Sequence, residues 1–252
     1  MGKIIAVVNQ KGGVGKTTSA VNLTAALTAR GKKVLLCDFD PQANATSGMG
    51  VEKKRTSVYH VLLGEASLEQ AICQTPYGDL LPSGAGLAGA AVELIDMENR
   101  EYQLKQKLES VREKYDYIFI DCPPSLELLT LNGLCAAESI LVPVQCEYYA
   151  LEGLSDLMAT MRAVKSRLNR NLSIFGVLLT MFDGRTNFSN QVAEEVRRHF
   201  PGKVYATVIP RNVRLAEAPS HGLPVIGYDG SSRGAKAYLA LADEIIRKEG
   251  NA

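Results

Sequence analysis

Apolar runs alternate with amphipathic stretches along most of the chain. The runs at 3–8, 33–37, 117–120, 139–143, 174–179 and 204–208 are rich in Val, Ile and Leu. Several are apolar at successive positions, the pattern of strands buried on both faces. Between them, apolar residues recur at helical spacing over 17–29, 102–114, 127–136, 152–168, 190–199 and 232–248. Strand and helix in alternation predict an α/β fold: a doubly wound, mostly parallel sheet flanked by helices on both faces. Ligands of such sheets sit beyond the carboxyl ends of the strands. Segment 51–89 is the least regular. It carries short helical patterns at 58–63 and 68–73 and a Gly/Pro/Ser turn at 81–86, and it predicts an excursion from the sheet. No repeat or interdomain linker interrupts the chain, so one domain over residues 1–252 is expected.

The first apolar run leads into Asn9-Gln10-Lys11-Gly12-Gly13-Val14-Gly15-Lys16-Thr17-Thr18, and a helical pattern follows. Strand, glycine-rich loop and helix are the setting of a phosphate-binding loop. Glycines let backbone N–H groups turn toward phosphate oxygens, and the helix N-terminus behind them adds partial positive charge. Lys16 is placed to reach β- and γ-phosphates and Thr17 to ligate Mg²⁺, so the loop predicts ATP and magnesium as ligands. Gln10 stands where a standard loop has Gly, and Lys11 follows it. A second lysine in such a loop is costly unless a strong anion lies there. It could fold back on its own nucleotide or reach one held by a partner subunit.

Carboxylates recur at strand ends. Leu35-Leu36-Cys37-Asp38-Phe39-Asp40-Pro41 places two of them on one side of an extended segment, and Pro41 stops the strand. Beside a phosphate loop, that pair suits magnesium contact and positioning of an attacking water; alone, it could be a polar turn. Tyr117-Ile118-Phe119-Ile120-Asp121 is an apolar strand ending in Asp, the Walker B form. A fourth segment, Thr207-Val208-Ile209-Pro210-Arg211-Asn212-Val213-Arg214, reads as a strand end, a turn and a short helix.

Composition narrows the reading. The net charge of +1 gives no global attraction to nucleic acid, so DNA contact must come from local clusters or from a surface doubled by dimerisation. The start lacks a signal-peptide pattern, and Ala6 stands where myristoylation needs Ser or Thr. No apolar stretch approaches the ~20 residues that cross a bilayer. Cys37, Cys73, Cys122, Cys135 and Cys146 form no C-x-x-C pair and read as reduced thiols of a cytosolic chain.

Lys-Gly-Gly-Val-Gly-Lys-Thr-Thr resembles the deviant Walker A motif of the ParA/MinD group of P-loop ATPases. The resemblance runs from residue 3 to about 240 and is closest to the chromosomal Soj/ParA branch, through residues 40–48 and 143–153. It implies an ATPase whose Lys11 crosses a nucleotide sandwich homodimer. It implies that Gly12, Gly13, Val14, Gly15, Lys16, Thr17 and Thr18 bind phosphate and that Thr17, Asp38 and Asp121 serve magnesium. Asp40 then orients the hydrolytic water, while Pro210 and Asn212 contact the adenine side near Thr180 and Met181. It further implies nonspecific binding of double-stranded DNA through Arg185 and Arg214; Arg197, Arg198, Lys203 and Arg211 are further basic residues that could extend the patch. A ParB-type centromere-binding partner is expected to stimulate hydrolysis, and the protein is expected in the cytoplasm on the nucleoid. Because the loop begins by residue 9, no N-terminal helix-turn-helix domain is expected. Two alternatives share the loop. A MinD-like membrane switch needs a basic amphipathic tail with large apolar residues, and 245–252 lacks aromatics. An iron–sulfur assembly ATPase needs cysteines that bridge subunits.

Overall fold

The computed structural model describes residues 2–52, 56–125, 127–147 and 150–250. Positions 53–55 of the irregular segment, 148 and 149 of the 143–153 segment, and 251 and 252 of the tail lie outside them. The strands are β1 (Lys3–Val7), β2 (Val34–Asp38), β3 (Asp79–Leu81), β4 (Tyr117–Asp121), β5 (Ser139–Gln145) and β6 (Ser173–Thr180). They form one sheet in the order β3-β2-β4-β1-β5-β6, and every pairing is parallel. The expected doubly wound architecture is what forms.

The strand pleat divides the apolar residues between two layers. Ile4, Ala6 and Val8 face one, Ile5 and Val7 the other. Helices Gln103–Glu109, Leu128–Ala136, Ala150–Arg167 and Asn187–His199 cover the first face. Helices Lys16–Thr28 and Arg233–Gly250 cover the second, where Leu23, Leu27, Tyr238, Leu241 and Ile245 are buried. Burying each such side chain contributes about 1.5–3 kcal/mol, which outweighs the modest intrinsic preference of any single helix.

Three elements differ from the pattern. Part of 51–89 joins the sheet as edge strand β3, in register with Leu35, Leu36 and Cys37. Three residues are too few to show a period, and their entry depends on Gly78, at φ +114°, where a Cβ would lie 2.8 Å from the Thr24 methyl. The pattern at 102–114 becomes helix Gln103–Glu109 between 3₁₀ turns; Arg112 in the second turn donates to the Gly2 carbonyl (2.8 Å), tying it to the chain start. The run 204–208 is not a strand. Val204 and Pro210 make only isolated bridges to Val177 and Phe182, because the Ala206 and Thr207 amides donate to the Glu244 carboxylate instead of to β6.

Candidate active site

Because all strands run one way, the ends of β1, β2, β4, β5 and β6 share one edge. The loop 8–15 leaves β1 there. Asn9 pins its start: its Nδ2 donates to the Pro143 carbonyl (2.8 Å) and its Oδ1 accepts from the Lys11 amide (3.0 Å). The Thr180 hydroxyl pins its far side by donating to the Val14 carbonyl (2.8 Å). Gly13 and Gly15 sit at φ +75° and +89°, a conformation a Cβ disfavours. Gly15 is the N-cap of helix Lys16–Thr28 and offers no side chain to its first amides, so these are presented toward the loop. Thr17 and Thr18 follow in the first turn, half-buried.

The two lysines behave differently. Lys16 is 7% exposed and its Nζ donates to the Lys11 carbonyl (2.9 Å). Burial lowers its pKa, and the carboxylates of Asp121 and Asp40 oppose that shift. Lys11 is half-exposed at the loop mouth and pairs with the carboxylate of Glu147, just beyond β5.

The β2–β4 register sets Asp38 beside Asp121, with Val7 of β1 on the other side. Neighbouring strands lie about 4.8 Å apart, so the two carboxylates are held close on the same face. Asp38 is fully buried. Its Oδ2 accepts from the Thr46 amide (2.7 Å) and hydroxyl (2.6 Å), its Oδ1 from the Asp40 amide (3.3 Å). Burial still pushes its pKa up to about 6. Asp121 is also fully buried, yet neither oxygen accepts a hydrogen bond of good geometry. Burial and then the charge of Asp38 raise its pKa well above the ordinary value; the nearby Thr17 hydroxyl favours the ionised form. Asp40 accepts from the Gln42 amide (2.9 Å), and its carbonyl accepts from Ser83 Oγ (2.8 Å). The Ser83 amide in turn donates to Thr46 Oγ1 (2.9 Å), so β2 and the turn after β3 are cross-braced.

Beside the loop, an apolar groove of about 420 Å³ is lined by Gly15, Thr18, Thr180, Met181, Pro210 and Asn212, with Tyr238 among its further walls. Asn212 also N-caps helix Val213–Glu217 by accepting from the Arg214 amide (3.0 Å). Glycine amides, a helix N-terminus and a buried lysine suit a polyphosphate, and the adjoining groove suits a flat base. An orphaned buried carboxylate beside a threonine hydroxyl is an oxygen donor set fitted to a hard cation. No group of three or more His, Cys, Asp or Glu is poised to hold a metal among the described residues. A magnesium here would therefore take its remaining oxygens from phosphate and water, as that ion commonly does.

Residues 2–174 match the family model of an AAA domain. The chain is 58% identical to the sporulation initiation inhibitor protein Soj of Bacillus subtilis, covering 97% of this chain and 98% of that protein. It is 52% identical to the chromosome-partitioning ATPase Soj of Treponema pallidum, covering 99% of each. It belongs to the ParA/Soj family of chromosome-partitioning ATPases. A crystal structure of cobyrinic acid a,c-diamide synthase from Mycobacterium smegmatis, with bound ADP and magnesium, shares the fold: TM-score 0.86 at 38% identity, covering 99% of this chain and 96% of that one.

In this ParA/Soj chain the two arginines singled out for DNA are ion-paired. Arg185 makes a two-pronged pair with Asp183 (2.8 and 2.6 Å), which holds that half-buried carboxyl down at about 2. Arg214 pairs with Glu217 (2.8 Å) and Asp229 (3.4 Å). Arg185 lines a hollow of about 790 Å³ together with Arg211, Arg233 and Lys236. Arg214, Arg197, Arg198 and Lys203 do not line it. Arg233 and Lys236 escaped the sequence reading because they open the last helix, far along the chain from the motifs. Thr46 and Glu147 fell inside segments that carried the family resemblance, but nothing in the spacing gave them a role. Ser83 lay in the Gly/Pro/Ser turn at 81–86, where no pattern gave it a role.

Proposed function

We propose that this ATPase is a nucleotide-driven partition switch acting as one domain over residues 1–252. MgATP draws two copies into a sandwich homodimer that binds double-stranded DNA without sequence preference. A ParB-type centromere-binding partner stimulates hydrolysis, and the dimer separates and leaves the DNA. The observation that carries this reading is the pair of loop lysines: Lys16 is buried within its own loop, while Lys11 stands at the mouth, held by Glu147.

In this reading the amides of Gly12, Gly13, Val14, Gly15, Lys16, Thr17 and Thr18 cradle the phosphates, and Lys16 gives up the Lys11 carbonyl to reach them. Thr17 and Asp121 would hold magnesium, with Asp38, whose oxygens already serve Thr46 and Asp40, contributing through water. When bound, the ion supplies neutralisation of phosphate charge. Asp40, fixed by Gln42 and Ser83, orients the attacking water. Pro210 and Asn212 flank the adenine. Lys11 exchanges Glu147 for the phosphates of the partner's nucleotide, so loss of the γ-phosphate removes a contact made only in the dimer.

DNA contact falls to Arg185, joined by Arg211, Arg233 and Lys236 around the hollow, and to Arg214 outside it. The first two must trade carboxylates for phosphates, a high-dielectric exchange of small net cost. Phosphate contacts position without reading sequence. A cytoplasmic, nucleoid-bound location fits this chemistry. No helix among the described residues is long and apolar enough to cross a membrane. The apolar stripe of helix Arg233–Gly250 packs against helix Lys16–Thr28 in the core, which leaves it unavailable for the membrane alternative.

The test is binding to unrelated double-stranded DNA with ATP, ADP or no nucleotide, for wild type and Asp40→Ala, across a salt series. ATP-only binding that is stronger in Asp40→Ala and falls by orders of magnitude between 50 and 200 mM salt is expected. ATP-dependent dimers that ignore DNA at every salt concentration would remove the DNA half of the proposal.

A further inference from the structure

Residues 203–210 follow the outer edge of β6 without forming a strand. The Tyr205 amide donates to the Val177 carbonyl at 3.0 Å; the next amide to answer β6 is that of Ile209, at 2.9 Å from the Leu179 carbonyl. A regular parallel ladder advances two residues on both strands at once, so Thr207 would answer Leu179. Two extra residues are therefore looped out. The amides of Ala206 and Thr207 donate to Glu244 instead, one to each carboxylate oxygen, at 2.9 and 2.8 Å.

Glu244 is 5% exposed and sits on helix Arg233–Gly250. Lys248 Nζ lies 3.0 Å from Oε1 and also 4.6 Å from the centre of the Tyr205 ring. That ring occupies the space above Gly176, where a Cβ would come within 2.2 Å of it. Burying a carboxylate is costly unless it is hydrogen-bonded. Burial pushes Glu244 up, but the two amides, the Thr207 hydroxyl and Lys248 overcome that and hold it below the usual carboxylate range. The loop-out is thus fixed on both flanks and at its centre.

Immediately after the loop-out, the chain forms a wall of the nucleotide groove. Pro210, Arg211 and Asn212 line that groove, and Pro210 and Arg211 also line the basic hollow. Glu244 lines neither. We propose that Glu244 is a positioning residue for nucleotide recognition: by holding Ala206 and Thr207 out of the ladder, it sets the register that delivers Pro210 and Asn212 to the base. The proposal rests on reading the groove as the base site. Without Glu244, Thr207 can take the Leu179 carbonyl, and the segment slides by two residues, roughly 6–7 Å. Pro210 and Asn212 would then leave the groove, and selectivity for adenine nucleotides would go with them.

Glu244→Gln preserves size but offers one acceptor oxygen, so one amide loses its partner and faces an NH₂ group. Glu244→Ala removes both acceptors. Binding of ATP and of GTP, each with magnesium, is measured on the full chain by calorimetric titration, alongside ATPase kcat, KM and the melting temperature. Glu244→Gln is expected to weaken ATP binding roughly tenfold, equivalent to about 1.4 kcal/mol. GTP binding should barely change, so the ATP-to-GTP ratio falls. KM should rise with kcat nearly unchanged, the signature of lost uniform binding. A variant with a lower melting temperature but the wild-type ratio would show a purely structural role and overturn the proposal, as would wild-type affinity in Glu244→Gln. If Glu244→Ala does not fold, Glu244→Gln alone decides. Equal affinity of the unmodified protein for ATP and GTP would overturn the groove reading and this proposal together, whereas a discriminating wild type with unaffected variants sinks the proposal alone.

Discussion

At the scale of single residues, the backbone geometry of the glycine-rich loop was legible in the sequence because it is local. Glycines at positive φ and a lysine opening a helix are fixed by positions adjacent in the chain. Lys16→Ala removes a charge-assisted contact worth about 1.5–3 kcal/mol, so MgATP affinity in calorimetric titration should fall roughly ten- to a hundredfold. Retained wild-type affinity would show that Lys16 stays on the Lys11 carbonyl in the bound state as well. The state of the carboxylates was not legible. Asp38 and Asp121 look alike as strand-ending acids, yet one has both oxygens held by hydrogen bonds of good geometry and the other has only the nearby Thr17 hydroxyl among the described residues. That difference depends on Thr46 reaching back from the next turn, and no periodicity reports it.

At the scale of elements, long buried strands and amphipathic helices were read correctly, since their apolar periods exceed any local accident. The exceptions are short or captured by side chains. β3 is three residues long, and 204–208 has strand composition but loses its ladder to Glu244. The short helix Asn44–Gly48 matters for what it carries: Thr46 donates to Asp38 and accepts from Ser83, joining β2 to the turn after β3. Thr46→Val keeps the shape but leaves the Ser83 amide without its acceptor and Asp38 Oδ2 with only the Thr46 amide, and a cost of about 1–3 kcal/mol in urea unfolding is expected. Thr46→Ser should recover most of it. Wild-type stability in Thr46→Val with the loss confined to Thr46→Ser would point to packing of the methyl rather than to the hydrogen bonds.

At the scale of the whole molecule, the parallel sheet gathers five strand ends at one edge, and the sandwich dimer is proposed to form across it. Lys11 is held there by Glu147 before any partner arrives. Glu147→Gln weakens that hold, so the ATP-dependent dimer should assemble at lower protein concentration in analytical ultracentrifugation. Lys11→Ala should leave nucleotide binding in place and weaken the dimer roughly tenfold or more. A Glu147→Gln protein that dimerises no better than wild type would mean that the ion pair does not compete with assembly. The sequence by itself determined the alternation of strand and helix, the phosphate loop and the acids at strand ends, because each is written in residues close together in the chain. Only the tertiary structure decided that Asp121 has no hydrogen-bond partner of good geometry, that Arg185, Arg211, Arg233 and Lys236 share one hollow, and that 204–208 leaves the sheet. Those outcomes depend on strand register and on side chains that meet from distant segments, and local pattern does not encode which distant groups will compete for the same hydrogen bond.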